Sequence, residues 1–203
     1  MRYLLLSSCL LLGCSSVYKG LRPAIGSVGT VQKFTPVFTT ALYKAQVTIT
    51  GKYLSGLLLI KTMPDSSVRV LFSNEMGFKF FDFGYLKNKE FRVYHIIPQM
   101  NKKAVIQTLR NDFALLLMRS PDTSNAVLRK DERFNYYIFP QSRDFHTYIT
   151  DTASTAMVKM ERSSKRKTVV EITGQFNKKT LPDSVTITHK NFHFTINLKS
   201  IPG

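Results

Sequence analysis

Short runs of β-branched and aromatic residues, each closed by a cluster of turn formers, recur from Gln46 almost to the C-terminus, a rhythm that restricts the chain to a sheet built mainly of hairpins. Residues 57–61 end at Met63-Pro64-Asp65-Ser66-Ser67, and Val68, Val70 and Phe72 then alternate with Arg69 and Leu71, which predicts one hairpin. Ser73-Asn74-Glu75-Met76-Gly77 punctuates the chain before Phe78, Phe80, Phe81 and Phe83. Lys87-Asn88-Lys89 leads into Phe91, Val93 and His95, so the meander continues to residue 97. Later, 158–162 and 168–172 flank the basic tip Lys165-Arg166-Lys167. Val185 and Ile187 precede a last strand in which Phe192, Phe194, Ile196 and Leu198 alternate with polar residues.

Pro98 interrupts this pattern. Behind it, Val105, Ile106, Leu109, Phe113, Leu116 and Leu117 follow helical spacing, with Asn101 as the predicted cap and an end near Arg119-Ser120-Pro121. An apolar stripe of this strength requires a partner, and the sheet supplies it. The fold class expected is therefore mainly β with helices (α+β): a curved antiparallel sheet forming an incomplete barrel, its concave face covered by helices. Fifteen phenylalanines and no tryptophan give the interior large apolar groups with few polar handles. Such an interior suits acyl chains, or the aromatics simply fill a core. Phe72, Phe80, Phe83, Val105, Leu109, Phe113 and Leu116 are the residues expected to line a cavity.

The N-terminus has a separate logic. Arg2, an apolar run from Tyr3 to Leu12, and Gly13-Cys14 have the layout of an export signal. The run is about half of the roughly 20 residues a spanning helix needs. Leu11-Leu12-Gly13-Cys14 resembles the lipobox of bacterial lipoproteins. That resemblance implies cleavage after residue 13, acylation of Cys14 and a membrane anchor, since two acyl chains already hold a protein stably. The expected organisation is 1–13 signal peptide, 14–36 lipidated N-terminus and Ser/Gly/Pro-rich tether, and 37–203 folded domain. The other cysteine, Cys9, falls in the discarded part, so no disulfide is expected.

The chain carries a net charge of +16, reduced by one if Arg2 is removed. Such an excess attracts polyanions. Export removes the chain from most nucleic acid, which leaves anionic lipid headgroups as the partners for Lys165, Arg166, Lys167, Lys178 and Lys179. No Gly-x-Ser-x-Gly, His-Glu-x-x-His, phosphate-binding Gly-rich loop or Cys-x-x-Cys is present, and the four histidines are scattered. His189 and His193 flank a predicted turn and read as exposed. Neither enzymatic activity, cofactor nor metal is expected.

Three pieces of the chain resemble the LolB family of outer-membrane lipoprotein receptors: the strand Val68-Arg69-Val70-Leu71-Phe72 running into Ser73-Asn74-Glu75-Met76-Gly77, the helix after the meander, and Leu181-Pro182 followed by two terminal strands ending in Leu198-Lys199. The resemblance implies a half-barrel that accepts the acyl chains of lipoproteins from a periplasmic carrier and inserts them into the outer membrane. It further implies that Met76 occupies the place of the apolar residue on the protruding, membrane-contacting loop. Glu75 stands where the family commonly has proline, and the family's frequent tryptophans are absent. Ser15 after the cysteine, in place of the aspartate that resembles an inner-membrane retention signal, favours an outer-membrane, periplasm-facing location. Two readings follow: a lipid-handling receptor with an open apolar cavity and an exposed Met76, or an accessory lipoprotein of an envelope complex whose half-barrel is filled by its own side chains.

Overall fold

The computed structural model describes residues 17–119, 123–176 and 182–201. One open, curved sheet of thirteen antiparallel strands dominates. In chain order these are β1 (Arg22–Pro23), β2 (Thr40–Ile49), β3 (Lys52–Thr62), β4 (Val68–Ser73), β5 (Lys79–Tyr85) and β6 (Phe91–Ile96), then β7 (Val127–Lys130), β8 (Phe134–Pro140), β9 (Phe145–Asp151), β10 (Met157–Ser163), β11 (Thr168–Phe176), β12 (Ser184–His189) and β13 (Phe194–Ser200). Helix α1 (Lys103–Leu116) connects β6 at one edge to β7 near the other. The two meanders join where β13 pairs with β2, with Ile196 opposite Val47 and Leu198 opposite Ala45.

Period-two patterning assigns the inner face. Ala41, Tyr43 and Ala45 of β2, Leu58 and Ile60 of β3, Val70 and Phe72 of β4, and Phe81 and Phe83 of β5 are all buried. The same face continues through Ile196 and Leu198, Val185 and Ile187, and Ile172 opposite Met160. Phe81 and Phe83 stack with centroids 4.5 Å apart, and Phe81 meets Phe113 of α1 at 6.0 Å. At Gly56 a Cβ would lie 2.2 Å from the Ser73 carbonyl oxygen, so the approach of β3 to the end of β4 requires glycine.

Residues 17–36 lie against this framework. Tyr18 is buried on the outer face, its ring against Tyr136 and Phe145 and its hydroxyl 2.6 Å from Thr147 Oγ1. Val31 and Phe34, from the 3-10 turn Val28–Phe34, are buried in the core.

The expected α+β class, with helices covering the concave face, is not what forms. The described residues are almost all sheet, with one α-helix of 14 residues among them. At 1.5 Å per residue α1 is about 21 Å long, whereas thirteen strands at about 4.8 Å span roughly 60 Å around the curve. A single helix therefore packs on part of the inner face, and the 3-10 turn Val28–Phe34 contributes Val31 and Phe34 to the same core. Helical periodicity was present in one segment only, and its hydrophobic stripe found the expected partner without the helical layer imagined around it. Lys102, whose side chain makes no capping hydrogen bond, precedes α1 in place of Asn101, and the helix closes at Leu116, earlier than expected, with Met118 in left-handed backbone (φ 48°).

Candidate functional site

Between α1 and the inner face lies an apolar cavity of about 450 Å3, within the roughly 300–1,000 Å3 common for ligand sites. Ala45, Val47 and Ile49 of β2 and Leu54 and Leu58 of β3 form its floor, with Phe72 and Phe81 alongside. Val105, Leu109 and Phe113 of α1 roof it, and Phe192, Phe194 and Ile196 close the end beside β13. The wall is aliphatic and aromatic almost throughout, so it offers dispersion contacts to a hydrocarbon chain and few hydrogen bonds to a polar ligand.

Of the expected lining residues, Phe72, Val105, Leu109 and Phe113 are on this wall. Phe83 and Leu116 are enclosed in the core instead, and Phe80 packs half-buried between Phe72 and Phe78, at 5.0 and 5.5 Å. Ala45, Val47, Leu54, Leu58 and Phe194 were missed. The alternation in 192–198 marked a buried face, but only the pairing of β13 with β2 brings that face over the cavity.

A buried polar cluster fixes α1 beside the cavity. Asp112, on the helix, is fully enclosed. Its Oδ2 lies 2.7 Å from His189 Nε2 on β12, and Arg162 on β10 approaches its Oδ1 at 3.7 Å. Arg162 also reaches Asp144 at 3.4 Å, and the His189 ring sits between Phe192 and Phe194, centroids 4.7 and 4.9 Å away. His189 is therefore interior, not the exposed residue its place beside a turn suggested, because its register opposite Val170 puts it on the inner face. Nearby His146 is pushed down to about 4, first by burial and also by the charge of Arg162, against the opposing pull of Asp144. Among the described residues no group of His, Cys, Asp and Glu is arranged to hold a metal ion.

Met76 stands at the tip of the β4–β5 turn, 93% exposed. The turn is braced from within: Phe78 N donates to Asn74 Oδ1 at 2.8 Å, Gly77 N donates to the Asn74 carbonyl, and Gly77 takes the left-handed backbone (φ 85°) the turn requires. Met76 is thus presented to solvent and not folded back on its own strands. Lys165, Arg166 and Lys167 are exposed at the β10–β11 turn, while Cys14, Lys178 and Lys179 lie outside the described residues.

The same architecture occurs in known structures. A LolA superfamily protein from Nitrosomonas europaea aligns over 88% of this chain and 93% of its own, at 6% identity and a TM-score of 0.52. The chain has a LolA-like fold. A putative outer membrane lipoprotein-sorting protein domain from Vibrio parahaemolyticus aligns over 87% and 90%, at 10% identity and a TM-score of 0.50. No model of a known protein family and no curated protein matches the sequence. At such identities the likeness concerns the path of the backbone; the cavity wall and Met76 turn described above are this chain's own side chains.

Proposed function

We propose that this chain is a non-catalytic, lipid-anchored envelope protein that takes acyl chains into the cavity beneath α1 and passes acylated lipoproteins to the outer membrane, as the LolB resemblance implies. The observation that carries the reading is the open apolar cavity itself: with fifteen phenylalanines available, the half-barrel still leaves about 450 Å3 unfilled. Its roof is one helix held to the sheet through Asp112, so the wall that a chain meets is fixed in place. The likeness in fold to a putative outer membrane lipoprotein-sorting protein domain supports the choice of cargo. In this reading Cys14 carries the fatty acyl anchor, a periplasmic carrier supplies the cargo, and Met76 is the apolar contact with the bilayer. The accessory-lipoprotein alternative required a half-barrel filled by its own side chains, and the cavity argues against it.

The test uses the mature chain from residue 14 with Cys14→Ser, which retains every strand and the helix. Incubated with an acylated lipoprotein and its non-acylated form, it should co-purify with the first only. Val105→Glu places a charge, costly to bury, on the cavity wall at a half-buried position, and its thermal melt is compared with that of the parent to confirm folding. That variant should lose acyl-dependent binding, whereas Met76→Glu should bind normally and fail to deliver cargo to liposomes. Equal capture of both lipoprotein forms refutes the proposal.

A further inference from the structure

The strand registers sort the turns onto two edges of the sheet. Pro140 pairs with Phe145 and Ser163 with Phe145, Val170 with His189, Phe194 with Ile49, and Leu57 with Ser73. These pairings put turns 50–51, 74–78, 141–144, 164–167 and 190–193 along one edge. Among the described residues, the opposite edge carries turns 63–67, 86–90, 131–133 and 152–156, together with Asp183 before β12.

The two edges differ in charge, while both carry exposed apolar side chains, Ile25 and Val37 among them on the opposite edge. The first set of turns contains Arg143, Lys165, Arg166, Lys167 and Lys190 against Glu75 and Asp144. Among the described residues, the second contains Asp65, Glu90, Asp131, Glu132 and Asp183 against Lys87, Lys89 and Arg133. The basic edge also presents Met76 at 93% exposure, Tyr53 at 61% and Phe78 at 57%, with Phe192 beside them in the β12–β13 turn. Cations interleaved with protruding apolar side chains are what an anionic bilayer surface takes up, charge at the headgroups and apolar tips below them.

A third observation places the chain's start at this same edge. Val17 N donates to the Lys165 carbonyl at 3.1 Å, and Tyr18, pinned to Thr147 and by a 3.1 Å hydrogen bond to Ser163, fixes the segment there. Cys14 is three residues from Val17, a reach of about 11 Å at most.

We propose that the edge bearing turns 50–51, 74–78, 141–144, 164–167 and 190–193 docks on an anionic bilayer leaflet, with the Lys165-Arg166-Lys167 tip beside the anchor as its main electrostatic contact. The orientation rests on the reading of Cys14 as the lipid anchor; the docking surface does not. The tether is too short for the sheet to turn over, so the cavity end beside Phe192 and the Met76 turn stay close to the leaflet that receives cargo.

The test uses the same mature Cys14→Ser chain, which has no other cysteine. A fluorophore is placed at Glu75→Cys on the basic edge or at Glu132→Cys on the opposite edge, both exposed positions. Vesicles of phosphatidylcholine alone or with phosphatidylglycerol carry a headgroup quencher. Binding should need phosphatidylglycerol, weaken with salt, and quench the Glu75→Cys probe much more than the Glu132→Cys probe. Replacing Lys165, Arg166 and Lys167 with alanine should weaken binding by about fivefold per cation removed, given roughly 1 kcal/mol for each cation near the surface. The turn itself survives these changes, because Ser164 Oγ accepts from the backbone N–H groups of Arg166 and Lys167. Acyl-dependent capture by the triple variant should be unchanged, so failure of docking is distinguishable from failure of the cavity reading. Equal binding to both vesicle types, or equal quenching of the two probes, overturns the proposal.

Discussion

Replacing Asp112 with alanine tests whether the buried cluster holds α1 over the cavity. The carboxylate is fully enclosed, 2.7 Å from His189 Nε2 and 3.7 Å from the Arg162 guanidinium, whose side chain is only 13% exposed. The variant loses one charge-assisted hydrogen bond, about 1.5–3 kcal/mol, and leaves Arg162 short of a counter-charge. Breaking a buried pair typically costs about 3–5 kcal/mol. Here Asp144, 3.4 Å from Arg162, retains part of the compensation. The expected loss is therefore about 3 kcal/mol, or roughly 6–12 °C in Tm for a domain of this size. Asp112→Asn, which keeps the shape, should cost less. A double-mutant cycle with His189→Ala, read by urea denaturation, should return a coupling of at least about 1 kcal/mol. A single-variant loss below about 1 kcal/mol, with no coupling, refutes the claim that this cluster fastens the helix.

Two further perturbations follow from the same geometry. Gly56→Ala puts a Cβ 2.2 Å from the Ser73 carbonyl; the backbone must shift, and a loss of about 1–3 kcal/mol is expected by chemical denaturation, with a neutral result excluding the close approach. The His146 pKa is depressed from 6.5 to about 4 in the folded chain, so the unfolded chain binds the proton first. Its contribution is fully present above pH 6.5 and is lost as pH falls through the window down to about 4, on the order of 1–3 kcal/mol. Tm measured against pH should therefore fall less steeply across that window in His146→Gln than in the parent, and identical slopes contradict the assignment.

Local pattern made much of the fold legible. The hairpin joining residues 57–61 to 68–72 was readable because alternation and a Pro-Asp-Ser turn cluster agree, and the structure pairs Leu58 with Phe72 and Ile60 with Val70. The helix was readable from the spacing of Val105, Leu109 and Phe113. The site was legible only in part. Phe72 and Phe83 look alike in sequence, each an inward residue of an alternating strand, yet one lines the cavity and the other is sealed beneath Phe91 at 5.1 Å. Their difference lies in what α1 leaves uncovered, a matter of where one helix crosses a curved surface.

The sequence by itself determined the elements: period two for the strands, period 3.6 for the single helix, and turn chemistry at their ends, all set by interactions within a few residues. Tertiary structure alone decided that all thirteen strands of the described residues join one sheet. The pairing of β13 with β2 joins residues about 150 apart in the chain, and no local signal encodes it. That long-range pairing encloses the cavity and brings the turns of the two meanders onto one basic edge. Each depends on which strands become neighbours, and that choice is settled by burying apolar faces against one another over the whole molecule.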